Sequence, residues 1–173
     1  EDSVIGFYTR RPILKADRDR GGNTPDAWNR EHIWAKSHGF PGKNQSAYTD
    51  AHHLRACDKS VNADRGDLDF AYGGFPNNEC TECRQGNGTW EAPDRVKGDV
   101  ARMMFYMATR YEGNDSSQTP DLELVDSLTS SGSPVFGRVC DLIQWHLSDP
   151  VSLEEIERND VIYSWQGNRN PFI

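Results

Sequence analysis

Regular apolar periodicity enters this chain late, and that limits what it can fold into. From Val96 to Tyr111, Val96, Val100, Met103, Met104, Met107 and Tyr111 recur at the spacing of one helical face. Gly113 follows as a stop signal, and the Met103-Met104 pair reads as core packing. A second helix is expected from Ser133-Pro134, a cap followed by a proline at the first helical position. It would carry Val135, Val139, Leu142, Ile143 and Leu147 on one side and end at Asp149-Pro150. A third begins at Ser152, where Glu155 completes a capping box.

Upstream the punctuation is different. DSVIGFYT (Asp2–Thr9) has the β-branched and aromatic content of a strand. DRDRGGNTPD (Asp17–Asp26) is a charged loop with a Gly-Gly turn signal, and HGFPGKNQSAYTD (His38–Asp50) is another polar loop. YGGFPNNECTECRQGNGTW (Tyr72–Trp90) is too rich in Gly and Asn for one regular element. No internal repeat interrupts this plan. The pattern is α+β: a small antiparallel sheet packed by several helices and long loops. At 173 residues the chain fits one domain spanning 1–173, and 35% apolar content supports one modest core. There is no long apolar run, hence no membrane span. With no initiator Met and no signal peptide, Glu1 reads as the start of a processed or trimmed chain.

Net charge is −8, a weak argument against a polyanionic partner. The distribution of that charge points the other way. Residues 112–160 hold eleven acids against Arg138 and Arg158, whereas residues 1–111 balance sixteen acids with sixteen bases. A phosphate-binding face is therefore open to the N-terminal part. Four cysteines, Cys57, Cys80, Cys83 and Cys140, permit two disulfides and an exported protein. The Cys80-x-x-Cys83 pair could instead be half of a zinc site if Cys57 and Cys140 converge on it, and free thiols are the third reading.

The most unusual stretch is WNREHIWAKS, residues 28–37. A strand built for packing alone would not place Arg30, Glu31 and His32 in a row, because each ionisable group is expensive to bury unpaired. Neutral His32 can accept a proton near pH 7. Glu31 is a hard oxygen ligand suited to Mg²⁺, and Asn62, in SVNADRG, offers an amide oxygen to the same ion. Adjacent strand residues face opposite ways, so Glu31 and His32 share a site only at a strand end or bend. Taken one at a time, Glu31-His32 reads as a solvated pair, Asn62 as a turn residue, and Asp50, His52 and His53 as surface polar groups.

Four blocks in order, NREHIWAKS, DAHHLRACDKSVNADRGDLDF, VKGDVARMMFYMATRYEG and NDVIYSWQGNRNPFI, resemble the endonuclease I family. Its members are exported, broad-specificity bacterial nucleases of the His-Me finger (ββα-metal) group. The resemblance covers most of residues 28–173. It implies a finger core about residues 28–66 and a helical part about 94–165, with Trp28 and Trp34 on the flanks of the first strand. His32 then matches the general base, and Glu31 and Asn62 match the protein ligands of one Mg²⁺, replaceable in binding by Mn²⁺ or Ca²⁺. His52 falls in the family's D-x-H-N-L pattern, but His53 stands where the family has Asn, so structural hydrogen bonds are expected of both. Asp50 heads that pattern as an orienting group.

The resemblance further implies secretion or a periplasmic location, and products ending in 5′-phosphate and 3′-hydroxyl. An arginine is expected to hold the phosphate. Arg65 and Arg102 are candidates beside the chemistry, Arg102 because it interrupts an apolar helix and could emerge into the cleft; Arg30, Arg55 and Arg169 are substrate-binding candidates. No row of arginines is aimed at base edges, so backbone contacts and salt-sensitive, sequence-nonspecific cleavage are expected. The sequence reading is thus a monomeric, Mg²⁺-dependent endonuclease acting on DNA, with RNA also open as substrate. Its rivals are a noncatalytic nucleic-acid-binding module on the same scaffold and an enzyme acting chiefly on RNA.

Overall fold

The computed structural model describes residues 2–173 apart from 23 and 25. The reading of Glu1 and two positions of the Asp17–Asp26 loop therefore lie outside the described residues. The strand expected over Asp2–Thr9 is shorter than its composition suggests: β1 covers Ser3–Ile5 and pairs antiparallel with β2, Pro12–Leu14. Gly6 then turns the chain, accepting from the Arg10 N–H and donating to the Arg11 carbonyl. The turn drives Phe7 and Tyr8 into the core instead of along a strand.

Two longer strands follow. β3 (Trp28–His32) runs antiparallel to β4 (Leu54–Asp58), with Glu31 opposite Arg55 and His32 opposite Leu54. The helix α1 (Lys59–Arg65) begins directly after β4. Gly66 ends it at φ +56°, a backbone angle that side chains disfavour. Strand, strand and helix thus succeed one another, with the long polar loop between β3 and β4.

The Tyr72–Trp90 excursion is irregular as expected, yet it contributes three very short strands. β5 (Asp69–Phe70), β6 (Phe75–Pro76), β7 (Arg84–Gln85) and β8 (Thr89–Glu91) form a sheet ordered β5-β8-β7-β6. A Cys80–Cys83 disulfide staples the loop between β6 and β7.

α2 (Lys97–Arg110) matches the expected periodicity, and all six side chains of the stripe from Val96 to Tyr111 are buried. The helix is enclosed well beyond that stripe, because Ala101, Arg102 and Tyr106 are buried too. The segment at Ser133-Pro134 departs from expectation. It enters β10 (Val135–Gly137), which pairs parallel with β9 (Glu123–Val125), and α3 begins only at Val139 and runs to Ser148. Strand geometry wins because it aims Phe136 into an aromatic pocket against Trp34, His38 and Phe70. α3 buries Leu142 and Trp145, whereas Ile143 and Leu147 face solvent, so its true stripe is offset from the expected one. The helix does end at Asp149.

α4 (Leu153–Gln166) starts with the expected capping box of Ser152 and Glu155 and stops at left-handed Gly167. It buries only Glu155, Asn159 and Ile162, so polar contacts fasten it. Arg102, with no exposed surface, donates from Nε and Nη2 to the two Glu155 oxygens at 2.6 and 2.8 Å, and from Nη1 to the Asp149 carbonyl at 2.7 Å. A buried pair of this kind is weak evidence for net stability, but removing one partner strands the other charge. Glu155→Ala is therefore expected to lower unfolding free energy by about 3–5 kcal/mol. Leu147→Ala, on the solvent side of α3, is expected to stay within about 0.5 kcal/mol. Urea denaturation of both variants checks the clasp and the corrected helix face together.

Candidate active site

The end of β3, the start of the following loop and the inner face of α1 enclose an open cleft of about 650 Å³. Arg30, Glu31, His32 and Asn62 all line it. His32 is the last residue of β3, so two adjacent side chains reach one cleft at the strand end, as the alternation rule requires. Asn62 comes from the second turn of α1, which follows directly on the strand paired with β3.

Each group has defined partners. Glu31 is almost wholly buried; its Oε1 accepts from the Tyr8 hydroxyl at 2.8 Å and pairs with Arg65 at 3.3 Å. Burial raises its pKa above the ordinary carboxylate value, opposed by the Arg65 charge, the Tyr8 hydroxyl and the His32 backbone N–H. His32 Nε2 lies 3.0 Å from the Tyr48 carbonyl, which can only accept. The proton therefore sits on Nε2, and Nδ1 keeps its lone pair. Burial and the nearby His53 push the His32 pKa down to about 4, so the ring is neutral at pH 7. Asn62 donates from Nδ2 to Asn29 Oδ1 at 2.6 Å and to the Arg30 carbonyl at 3.3 Å. That arrangement leaves its Oδ1 as the group available to a ligand.

The remaining expected site residues scatter. Arg30 is exposed at the cleft. Arg65 is inside the protein with no exposed surface, donating to the His32 and Ile33 carbonyls at 3.1 and 2.8 Å beneath the site. Arg102 does not emerge into the cleft; the Glu155 pair holds it in the core. Arg55 is tied to Asp99 at 2.9 Å and packs over the Phe7 ring. Arg169 pairs with Asp160 and lies over Tyr163. These last three are absent from the cleft lining.

Asp50 accepts from the Tyr106 and Tyr111 hydroxyls, the His52 backbone and Gln166. Burial pushes its pKa up, but the hydrogen bonds from Gln166, the His52 backbone and Tyr111, with the electrostatic influence of His53, hold it below the usual value. His52 Nε2 meets the Asn168 carbonyl at 3.1 Å, and His53 Nε2 meets the Ala47 carbonyl at 2.8 Å. Both histidines hydrogen-bond the framework, and the His53 ring lies 5.4 Å from that of His32.

Several contributors escaped the sequence reading. Arg18, Lys36, Tyr48, Asn29 and Lys59 also line the cleft, and Tyr8 reaches Glu31 from behind. Asn29 was legible in principle, because it stands two residues before Glu31 and so on the same strand face. No local pattern marks Tyr8 or Lys36.

The donor set fits a hard divalent ion. One carboxylate and one amide oxygen at an open cleft leave positions for water and substrate oxygens, as Mg²⁺ prefers. Among the described residues no group of three or more His, Cys, Asp or Glu could hold a metal. Cys57 and Cys140 are free thiols, one buried and one exposed, so the second disulfide and the four-thiolate zinc site both fail.

A family model described as Endonuclease I matches residues 1–173. The chain is 46% identical over 173 residues to a protein named extracellular ribonuclease from Bacillus amyloliquefaciens, covering 99% of this chain and 58% of that one. A Bacillus subtilis (strain 168) protein of the same name is 47% identical over the same shares. A protein named endonuclease-1 from Buchnera aphidicola is 26% identical over 190 residues, covering 100% of this chain and 68% of that one. The chain thus spans somewhat over half the length of the two extracellular ribonucleases.

The histidine environment sets a pH expectation. His32 and His53 both have pKa values lowered to about 4, first by burial. The unfolded chain takes up these protons near pH 6.5 and the native state does not, so the two residues subtract stability as pH falls from about 6.5 toward 4. Asp99, raised to about 6 chiefly by burial, acts in the opposite sense between about 6 and 3.8. In the metal-free protein, NMR titration is expected to show both rings still neutral at pH 5.

Proposed function

The chain belongs to the endonuclease I family, and on that footing we propose that it is one metal-dependent nuclease domain cutting phosphodiester bonds without sequence preference. The supporting observation is the convergence of Glu31, His32 and Asn62 on one open cleft, with His32 neutral and its Nδ1 lone pair available. Its core is the β3-β4-α1 unit, about residues 28–66, and the helical part covers about residues 94–165.

Glu31 and Asn62 are the residues to hold Mg²⁺. An ion held there would supply positive charge to offset the negative charge that grows in the transition state. His32 Nδ1 takes the proton from the attacking water, and the Tyr48 carbonyl keeps the ring oriented and stabilises the imidazolium that results. Arg30, Lys36 and Arg18, exposed along the cleft, meet backbone phosphates. The water oxygen bonds to phosphorus as the P–O3′ bond breaks, and the departing 3′ oxygen takes a proton from solvent in the open cleft, leaving 5′-phosphate and 3′-hydroxyl ends. Arg65 acts on the chemistry only through Glu31 and the β3 backbone.

DNA and RNA both fit this backbone-directed site. The name extracellular ribonuclease on relatives 46–47% identical favours RNA as a substrate of the whole protein. The same name, with the Cys80–Cys83 disulfide, supports action outside the cell. The cleft is built within one chain, so a monomer suffices for the reaction.

Supercoiled plasmid and a single-stranded RNA, each incubated with Mg²⁺ or EDTA, test the reading. Cleavage is expected with Mg²⁺ and none with EDTA. His32→Ala is expected to lower kcat by about 10²–10⁴ while retaining metal binding. Glu31→Ala is expected to lose metal binding. A His32→Ala enzyme cutting at the wild-type rate overturns the base assignment. Arg30→Ala and Lys36→Ala are each expected to weaken substrate binding and reduce the salt slope by about 1.

A further inference from the structure

Two side chains outside the ligand pair decide which atom of each ligand is left for an ion, and we propose that Tyr8 and Asn29 are positioning residues of the cation site. The inference rests on the metal reading above and deepens it.

A carboxylate offers two equivalent oxygens, and free rotation would let either one turn toward an ion. At Glu31 that symmetry is broken. The Tyr8 hydroxyl at 2.8 Å and the Arg65 guanidinium at 3.3 Å both address Oε1. Oε1 is thereby committed to the interior, and Oε2 is the oxygen free of both contacts. Tyr8 has no exposed surface and packs edge-on to Trp90 at 5.7 Å, so its hydroxyl has one fixed direction.

An amide has the opposite problem, since one end donates and the other accepts. If Asn62 turned over, its NH₂ would repel the cation. The Arg30 carbonyl, 3.3 Å from Nδ2, cannot donate, so it fixes the NH₂ on that side. Asn29 Oδ1 reinforces the choice with a shorter bond of 2.6 Å. Asn29 stands on the β3 face that carries Glu31, so one strand supplies both a ligand and the group orienting the other. Both contacts are outer partners of the kind whose loss weakens metal affinity about 10–100-fold.

Calorimetric titration of Mn²⁺ into the metal-free protein, with no nucleic acid present, tests this without reference to turnover. Wild type, Tyr8→Phe, Asn29→Ala and Glu31→Ala are compared, with thermal melts confirming the fold. Tyr8→Phe keeps the buried ring and removes only the hydroxyl. Tyr8→Phe and Asn29→Ala are each expected to bind one ion about 10–100-fold more weakly than wild type. A purely structural role would move the melt and leave the affinity of the folded protein unchanged. Wild-type affinity in either folded variant overturns the assignment for that residue. Failure of the parent reading looks different: wild type would take up no Mn²⁺, or Glu31→Ala would bind as wild type does.

Discussion

The buried guanidinium of Arg65 is the contact on which the site hangs. It leaves the last turn of α1, enters the space beneath β3 and donates to the carbonyls of His32 and Ile33. Those acceptors lie at the end of β3, where the Ile33 N–H makes a last bond to the His53 carbonyl, and Arg65 gives both carbonyls a buried donor. The same group faces Glu31 and rests over the rings of Phe70 and Phe136. One cation thereby fixes the angle between helix and strand, offsets a buried carboxylate and seals the apolar layer below. An exposed phosphate-binding arginine could do none of these, and Arg65 has no surface to offer a substrate.

Charge in this protein is divided by depth. Arg55, Arg65 and Arg102 are inside and each meets a carboxylate. Arg18, Arg30 and Lys36 stand at the cleft surface. Interior pairs hold geometry, whereas solvated cations suit a mobile polyanion. None of the acid-rich residues 112–160 lines the cleft, which lets a chain of net charge −8 present a phosphate-compatible face.

Much of the candidate site was legible because chemistry concentrates in short stretches. Arg30-Glu31-His32 stood out as three adjacent ionisable groups, and the alternation rule placed them at a strand end. α2 and the capping box of α4 were equally readable, since helical periodicity and cap chemistry are local. Failures came where distant partners decide. Val135, Val139, Ile143 and Leu147 have helical spacing, but the pocket made by Trp34, His38 and Phe70 pulls Phe136 into a strand. Arg102 looked like a polar interruption that could emerge into the cleft, and a glutamate 53 residues away holds it in the core instead. Tyr8 meets Glu31 across 23 residues that no periodicity connects.

The scant apolar burial of α4 reaches farther than its own attachment. Arg158 donates to the Ala51 and Leu54 carbonyls, and Gln166 reaches the Ala51 N–H and Asp50. Those contacts brace the turn entering β4, next to the short helical turn at Ser46–Thr49 whose Tyr48 carbonyl steadies the His32 ring. A segment fastened mainly by directional polar bonds releases cooperatively once a few of them break, with little oily surface to hold it back. Its undocking would slacken that brace while most of the α2 stripe stayed packed in the core. The C-terminal end of the molecule and the His32 ring thus belong to one mechanical unit, so the geometry of the cleft is partly governed by residues that do not line it.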